Sequence, residues 1–183
     1  MRDVDIRNIL HSYLTAKNRH IHDSIIVEEL SVKNGLARID MAVINGIIHG
    51  YEIKSEVDTL NRLSNQIEHY NTSLEKISIA ISPLHKEKVI ERVPEWWGII
   101  EITDGNMIWE LRKAKENPNL NITDFLLLLW KDEMFEIIER NNINYKRYLN
   151  RRALIEIMVE NIKRKKLLFE VRQTLKSRKN WRN

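Results

Sequence analysis

Apolar positions change spacing several times along the chain, and each change marks an element. Val4, Ile6, Ile9, Leu10, Tyr13 and Leu14 recur at about the helical period, predicting an amphipathic helix over residues 3–17. SIIVEELSV (24–32) is rich in β-branched side chains and predicts a strand ending at Asn34-Gly35. ARIDMAVI and IIHGYEIK flank Asn45-Gly46, a pair that tolerates the positive φ of a tight turn, so residues 37–54 are expected to form a hairpin. Leu60, Leu63, Ile67, Tyr70 and Leu74 then fall at steps of three and four, the stripe of a helix over 56–73. KISIAIS (76–82) alternates as a strand, a short basic helix over 84–92 follows Pro83, and GIIEIT and MIWELR are further strands joined by Asp104-Gly105-Asn106. Beyond Asn117-Pro118-Asn119 the pattern is helical only, over about 123–140 and then 145–179 in one or two pieces. The expected fold is α/β: a mixed sheet flanked by helices over 1–118, then an all-helical extension over 119–183.

Composition narrows the class. A chain of 183 residues with 43% hydrophobic and 31% charged residues can bury one core. The apolar run Phe125 to Trp130 is far too short for a bilayer, and acids in MRDVDIRNIL stand where a signal peptide needs apolar residues, so a cytoplasmic protein with no membrane partner is expected. Without cysteine, any metal must be held by oxygen or imidazole. The net charge of +4 conceals an asymmetry: residues 141–183 hold 13 Lys or Arg and 3 Glu, a net of +10, whereas residues 1–140 carry −6. An acidic body with a basic tail implies metal chemistry in one part and an anionic partner for the other. A solvated helix surface is the plainer reading of the tail.

Side chains alternate along a strand, so Glu52 and Lys54 share a face. With Asn45-Gly46 as a two-residue turn, Ile44 faces Ile47 and Asp40 opposes Tyr51, one step from Glu52. A shared face then needs a bulge near His49-Gly50. Two carboxylates on neighbouring strands suit Mg2+, or Mn2+, which takes a few oxygen ligands and keeps positions for water and phosphate. A lysine beside them can polarise that water. A bare Glu-X-Lys is commonplace and usually an exposed ion pair on a strand; here it ends an apolar strand, with the hairpin delivering the Asp and a helix following.

Arg38-Ile39-Asp40, Gly50-Tyr51-Glu52-Ile53-Lys54, Asp58-Thr59-Leu60, Arg62-Leu63 and Pro94-Glu95-Trp96-Trp97-Gly98 together resemble the PD-(D/E)XK nuclease superfamily, and more narrowly small bacterial and phage proteins near the MmcB-like DNA-repair family. The resemblance covers about residues 3–100, with Ile39 in place of the superfamily's proline. It implies a restriction-endonuclease-like sheet, a metal held by Asp40, Glu52 and the Ile53 carbonyl, and a water served by Lys54. It also implies an upstream acid, Glu29 or, failing that, Glu28, and a Gln66-X3-Tyr70 element whose members share a helix face.

Other positions carry weaker signals. Arg38 and Arg62 are candidate phosphate contacts, with pairing to acids as the alternative. His49 lies in the hairpin and is a further phosphate candidate, while His85 reads as a surface residue. His20, His22 and Asp23 lack the rest of a metal site. Trp96 and Trp97 can stack on bases but fit a core better, and Leu126–Leu129 reads as buried helix. In the tail, Lys163, Arg164, Lys165, Lys166, Arg178, Lys179 and Arg182 flank an apolar edge, so the tail can face nucleic acid, form a homodimer or recruit a protein partner. The sequence therefore points first to a magnesium-dependent nuclease acting on DNA. The alternative is a non-catalytic nucleic-acid-binding or regulatory protein on the same fold.

Overall fold

The computed structural model of the protein describes residues 1–181. Among these residues, α1 (Asp3–Asn18) precedes β1 (Ile25–Val32), β2 (Ala37–Ile44) and β3 (Ile48–Lys54). Next come α2 (Leu63–Ser73), β4 (Lys76–Ile81), α3 (Lys86–Arg92), β5 (Gly98–Ile102) and β6 (Ile108–Arg112). The strands form one six-stranded sheet in sequence order. β3, β4 and β5 run parallel, with α2 and α3 as the crossovers, and the other neighbours are antiparallel. Four helices complete the chain: α4 (Ile122–Leu126), α5 (Lys131–Arg140), α6 (Arg151–Asn161) and α7 (Arg164–Ser177). The expected mixed sheet with a helical C-terminal region is what the chain forms.

Two apolar layers hold the sheet. On one side Ile6, Leu10 and Leu14 of α1 cover Met41, Val43, Tyr51, Ile53 and Ile100. On the other, Leu63 and Tyr70 of α2 join Ile44, Ile79 and Ile99 in a core that also takes in Phe125, Met134, Met158, Val171 and Leu175. The helices after residue 118 are thus continuous with the sheet's own core. No described helix is long and apolar enough to cross a membrane.

Three local departures from the sequence reading have physical causes. Ile44 pairs with Ile48, so three residues rather than two form the β2–β3 turn. Neither Asn45 nor Gly46 adopts positive φ; the Asn45 side chain builds the turn by accepting the Ile47 N–H at 3.1 Å. The helix expected from residue 56 begins at Leu63, because Asp58 Oδ2 captures the Ser55 N–H at 2.8 Å and its hydroxyl at 2.5 Å, holding the segment in a turn. The helix expected over 123–140 is divided into α4 and α5, while the 145–179 stretch takes its two-piece form as α6 and α7, with Asn121 and Asn150 capping α4 and α6 through their side-chain oxygens.

Much of the basic tail is engaged inside the molecule. Arg172 of α7 is paired with the buried Glu75, which also accepts the Ile48 N–H at 2.8 Å. Lys176 meets Asp23 at 2.5 Å, and Arg178 meets Glu133 at 2.6 Å while lying 4.1 Å and 4.5 Å from the rings of Trp130 and Trp181. Arg182 lies outside the described residues.

Candidate functional site

The β2–β3 ladder ends at Met41 and Tyr51. Continued one step, this register sets Asp40 opposite Glu52, so the two acids share a face without the bulge at His49-Gly50 that a two-residue turn demanded. Beyond Met41 the strands part, and Asp40 Oδ2 takes the Ile53 N–H at 2.7 Å in place of a backbone acceptor. Ile53 therefore enters the site through its amide. The opening is a polar cavity of about 330 Å³ between β2, β3 and the start of α2.

Nearly all of the predicted site residues converge on it. Glu52 and Lys54 are almost fully buried, and Lys54 Nζ donates to Glu52 Oε1 at 2.7 Å. Gln66 Nε2 donates to the same oxygen at 2.5 Å, and the Tyr70 hydroxyl lies 2.8 Å from Glu52 Oε2 and 2.7 Å from the Arg38 carbonyl. The spacing of four between Gln66 and Tyr70 on α2 aims both at one carboxylate. Glu29 joins the cavity, opposite Asp40 across β1 and β2, with a φ of 55° that a strand residue seldom adopts. Glu28 lines a neighbouring cavity with Trp130 and Arg178 instead. Arg62 is exposed on the rim, and the half-exposed Arg38 lies 3.8 Å from Glu29.

Sequence reasoning missed Arg7. Its guanidinium donates to Asp40 Oδ1 at 3.0 Å and to the Asp40 carbonyl at 3.1 Å, and lies 3.2 Å from Glu29 Oε1. The only hint was the acid excess itself, which demands a counter-cation without saying which. Burial alone would lower the Arg7 pKa, but the charges of Asp40, Asp3 and Glu29 outweigh it and hold the group above its usual value. Burial, then the charge of Glu52, pushes Asp40 up to about 7 against the pull of the Ile53 amide, Arg7 and Lys54.

The arrangement does not fit a divalent ion. A guanidinium already bridges Glu29 and Asp40, Glu52 Oε1 accepts from both Lys54 and Gln66, and Glu52 Oε2 accepts from Tyr70. In this cluster the buried oxygen left without a donor is Gln66 Oε1, a neutral amide, where Mg2+ needs several hard oxygens. Among the described residues, no group of three or more acids and histidines is placed to hold a metal.

Other candidates fall elsewhere. His49 and Tyr51 project to the α1 side of β3, away from Glu52. His85 is buried rather than on the surface, its Nε2 lying 2.9 Å from the Ser55 carbonyl. His20 and His22 are exposed. Trp96 and Trp97 are core residues, as is most of Leu126–Leu129. Lys163, Arg164, Lys165 and Lys166 form an exposed cluster at the start of α7.

The sequence model of the family described as bacteriophage P4 protein cII matches residues 2–183. The curated protein cII of enterobacteria phage P4 is 28% identical over 181 residues, covering 97% of this chain and 68% of that protein. A solved structure of a Silicibacter pomeroyi protein of unknown function aligns with a TM-score of 0.43 at 21% identity, over 74% of this chain and 94% of the other. The match over residues 2–183 to the bacteriophage P4 protein cII family overturns the nuclease expectation and favours the non-catalytic alternative.

Proposed function

We propose that this chain, which belongs to the bacteriophage P4 protein cII family, is a regulatory protein that binds nucleic acid without cutting it. The observation that carries the reading is the first turn of α7. Lys163, Arg164, Lys165 and Lys166 are all exposed there, no acid lies in that turn, and none of the three lysines has a carboxylate partner among the described residues. Four cations beside the positive end of a helix dipole disfavour the helix, each by roughly 0.3–1 kcal/mol when exposed. An anionic partner reverses that penalty, because the free N–H groups of the turn and the cations attract the same phosphates. Arg164 is oriented by a bond to the Leu120 carbonyl at 2.9 Å, which fixes the cluster against the body.

The acidic cleft has a different part in this reading. Its carboxylates would repel a phosphate backbone, and Arg7 and Lys54 neutralise them from within. Its network instead holds β2, β3 and α2 together and keeps the scaffold on which α7 docks.

The test is binding of the full chain to a fluorescent DNA duplex, followed by anisotropy, with plasmid integrity checked in Mg2+ and Mn2+. The Lys163→Ala/Lys165→Ala/Lys166→Ala variant is expected to lose affinity by about tenfold or more, while wild type leaves the plasmid intact. A triple variant that binds as tightly as wild type, or cleavage abolished by Glu52→Gln, removes the reading.

A further inference from the structure

A second cavity, of about 390 Å³, opens at the end of the sheet opposite Lys54, on the α1 side. The parallel register of β3 and β4 sets Lys76 beside His49 and Ser78 beside Tyr51. His49 Nε2 lies 2.9 Å from Ser78 Oγ, its Nδ1 lies 3.0 Å from the Tyr51 hydroxyl, and the two rings stack at 4.3 Å. Gly98 makes this possible, since a Cβ there would come within 2.3 Å of Ser78 Oγ. Lys17 from the last turn of α1 and Lys113 after β6 complete the wall, with Glu110 as its acid.

We infer that this cavity is a binding site for the phosphate group of a small molecule. Three lysines face one glutamate, and Lys17 lies 3.5 Å from Glu110, which leaves Lys76 and Lys113 without a carboxylate partner among the described residues. Two unmatched positive charges complement a phosphate of charge about −1.5 to −2. The cavity falls within the range of about 300–1,000 Å³ usual for small ligands. Burial, then the charges of Lys76 and Lys17, pushes His49 down to about 3, so the ring stays neutral beside the lysines. Ser78 and Tyr51 occupy both His49 nitrogens, so the imidazole fixes the Tyr51 hydroxyl, whose further hydrogen-bonding capacity faces the remainder of the ligand. This site sits across the sheet from α7, so the inference goes beyond the nucleic-acid reading and fails independently of it.

The test uses inorganic pyrophosphate as the probe, titrated into the full chain at constant ionic strength while the histidine ring 1H–15N signals are followed. The His49 signal is expected to move saturably and remain that of a neutral ring, while exposed His20 and His22 stay still. Equal ionic strength made with sodium chloride should leave all three unchanged. The Lys76→Ala/Lys113→Ala variant, and the exposed Lys113→Glu change alone, should each weaken binding by about tenfold or more. An unmoved His49, or wild-type affinity in both variants, overturns the inference. So does a DNA duplex that displaces pyrophosphate from His49, since the phosphate recognised would then belong to a nucleic-acid backbone.

Discussion

The cleft beside β3 and the first turn of α7 are both dense in charge, and they dispose of it in opposite ways. In the cleft, Glu29, Asp40 and Glu52 are matched by Arg7 and Lys54, and Tyr70, Gln66 and the Ile53 amide take up further lone pairs. At α7 the cations stand in solvent with no acid in their turn. Buried charge tends to be paired because desolvation is costly, so a matched cluster is what a scaffold needs. Unmatched, exposed charge destabilises the fold slightly and is available to a partner. Residue types alone made the cleft look like the working site; their partners point to the other region.

The largest effect expected is on the cleft. Glu52→Ala leaves the buried Lys54 ammonium unpaired and strips acceptors from Gln66 and Tyr70, so chemical denaturation should show a loss of about 3–5 kcal/mol, with Glu52→Gln milder. A variant of unchanged stability would mean the network is not structural. Arg172→Met attacks the docking of α7 by orphaning the buried Glu75, and about 2–4 kcal/mol should be lost in the same assay. If Lys163→Ala or Lys165→Ala costs as much, the contrast between paired and unpaired cations collapses.

A smaller effect sharpens the role of Arg7. With the guanidinium in place, Mn2+ should leave the melting temperature unaltered, whereas Arg7→Ala frees Glu29 and Asp40 and should gain a few degrees in millimolar Mn2+, on the order of 1–2 kcal/mol by linkage. Equal Mn2+ stabilisation of both proteins would contradict the reading of Arg7 as the resident cation. The smallest effect is on pH dependence. Asp40 titrates at about 7 in the folded chain against an ordinary value of 3.8, so the folded state binds more protons between those values. Its contribution is full below about pH 4 and is lost as pH rises through 7. Asp40→Asn should flatten the fall in stability between pH 5 and 8, and an unchanged slope would assign the titration to another group.

The sequence displays the strands and the apolar faces well, because period and burial are local properties: Leu63 and Tyr70 cover the sheet and Ile44 lies in its core as their spacing requires. Alternation along β3 puts Glu52 and Lys54 on one face, whereas the meeting of Asp40, Gln66 and Tyr70 with them was implied by the family resemblance and not by local geometry. The turn went wrong by one residue because Asn45 uses its side chain where a positive φ was expected, and that single step decides which face Asp40 shares. Arg7 was hidden because its bond to Asp40 spans 33 residues and no local pattern encodes it. The tail looked like one basic surface because composition cannot tell Arg172 and Arg178, paired with Glu75 and Glu133, from Lys165 and Lys166 in solvent. Function was least legible of all: the same acids and lysine suit a metal site or a self-neutralised one, and only the position of Arg7 separates them.

The salt dependence of DNA affinity tests the central contrast most directly. For wild type, Glu52→Gln and the Lys163/Lys165/Lys166 triple alanine variant, log Kd is plotted against log salt concentration. The account predicts the same slope for wild type and Glu52→Gln, and a slope shallower by about 2–3 for the triple variant, near 0.9 for each phosphate that the removed lysines would have neutralised. A slope unaltered by the triple variant but reduced by Arg38→Ala or Arg62→Ala would place the nucleic acid in the cleft and contradict it.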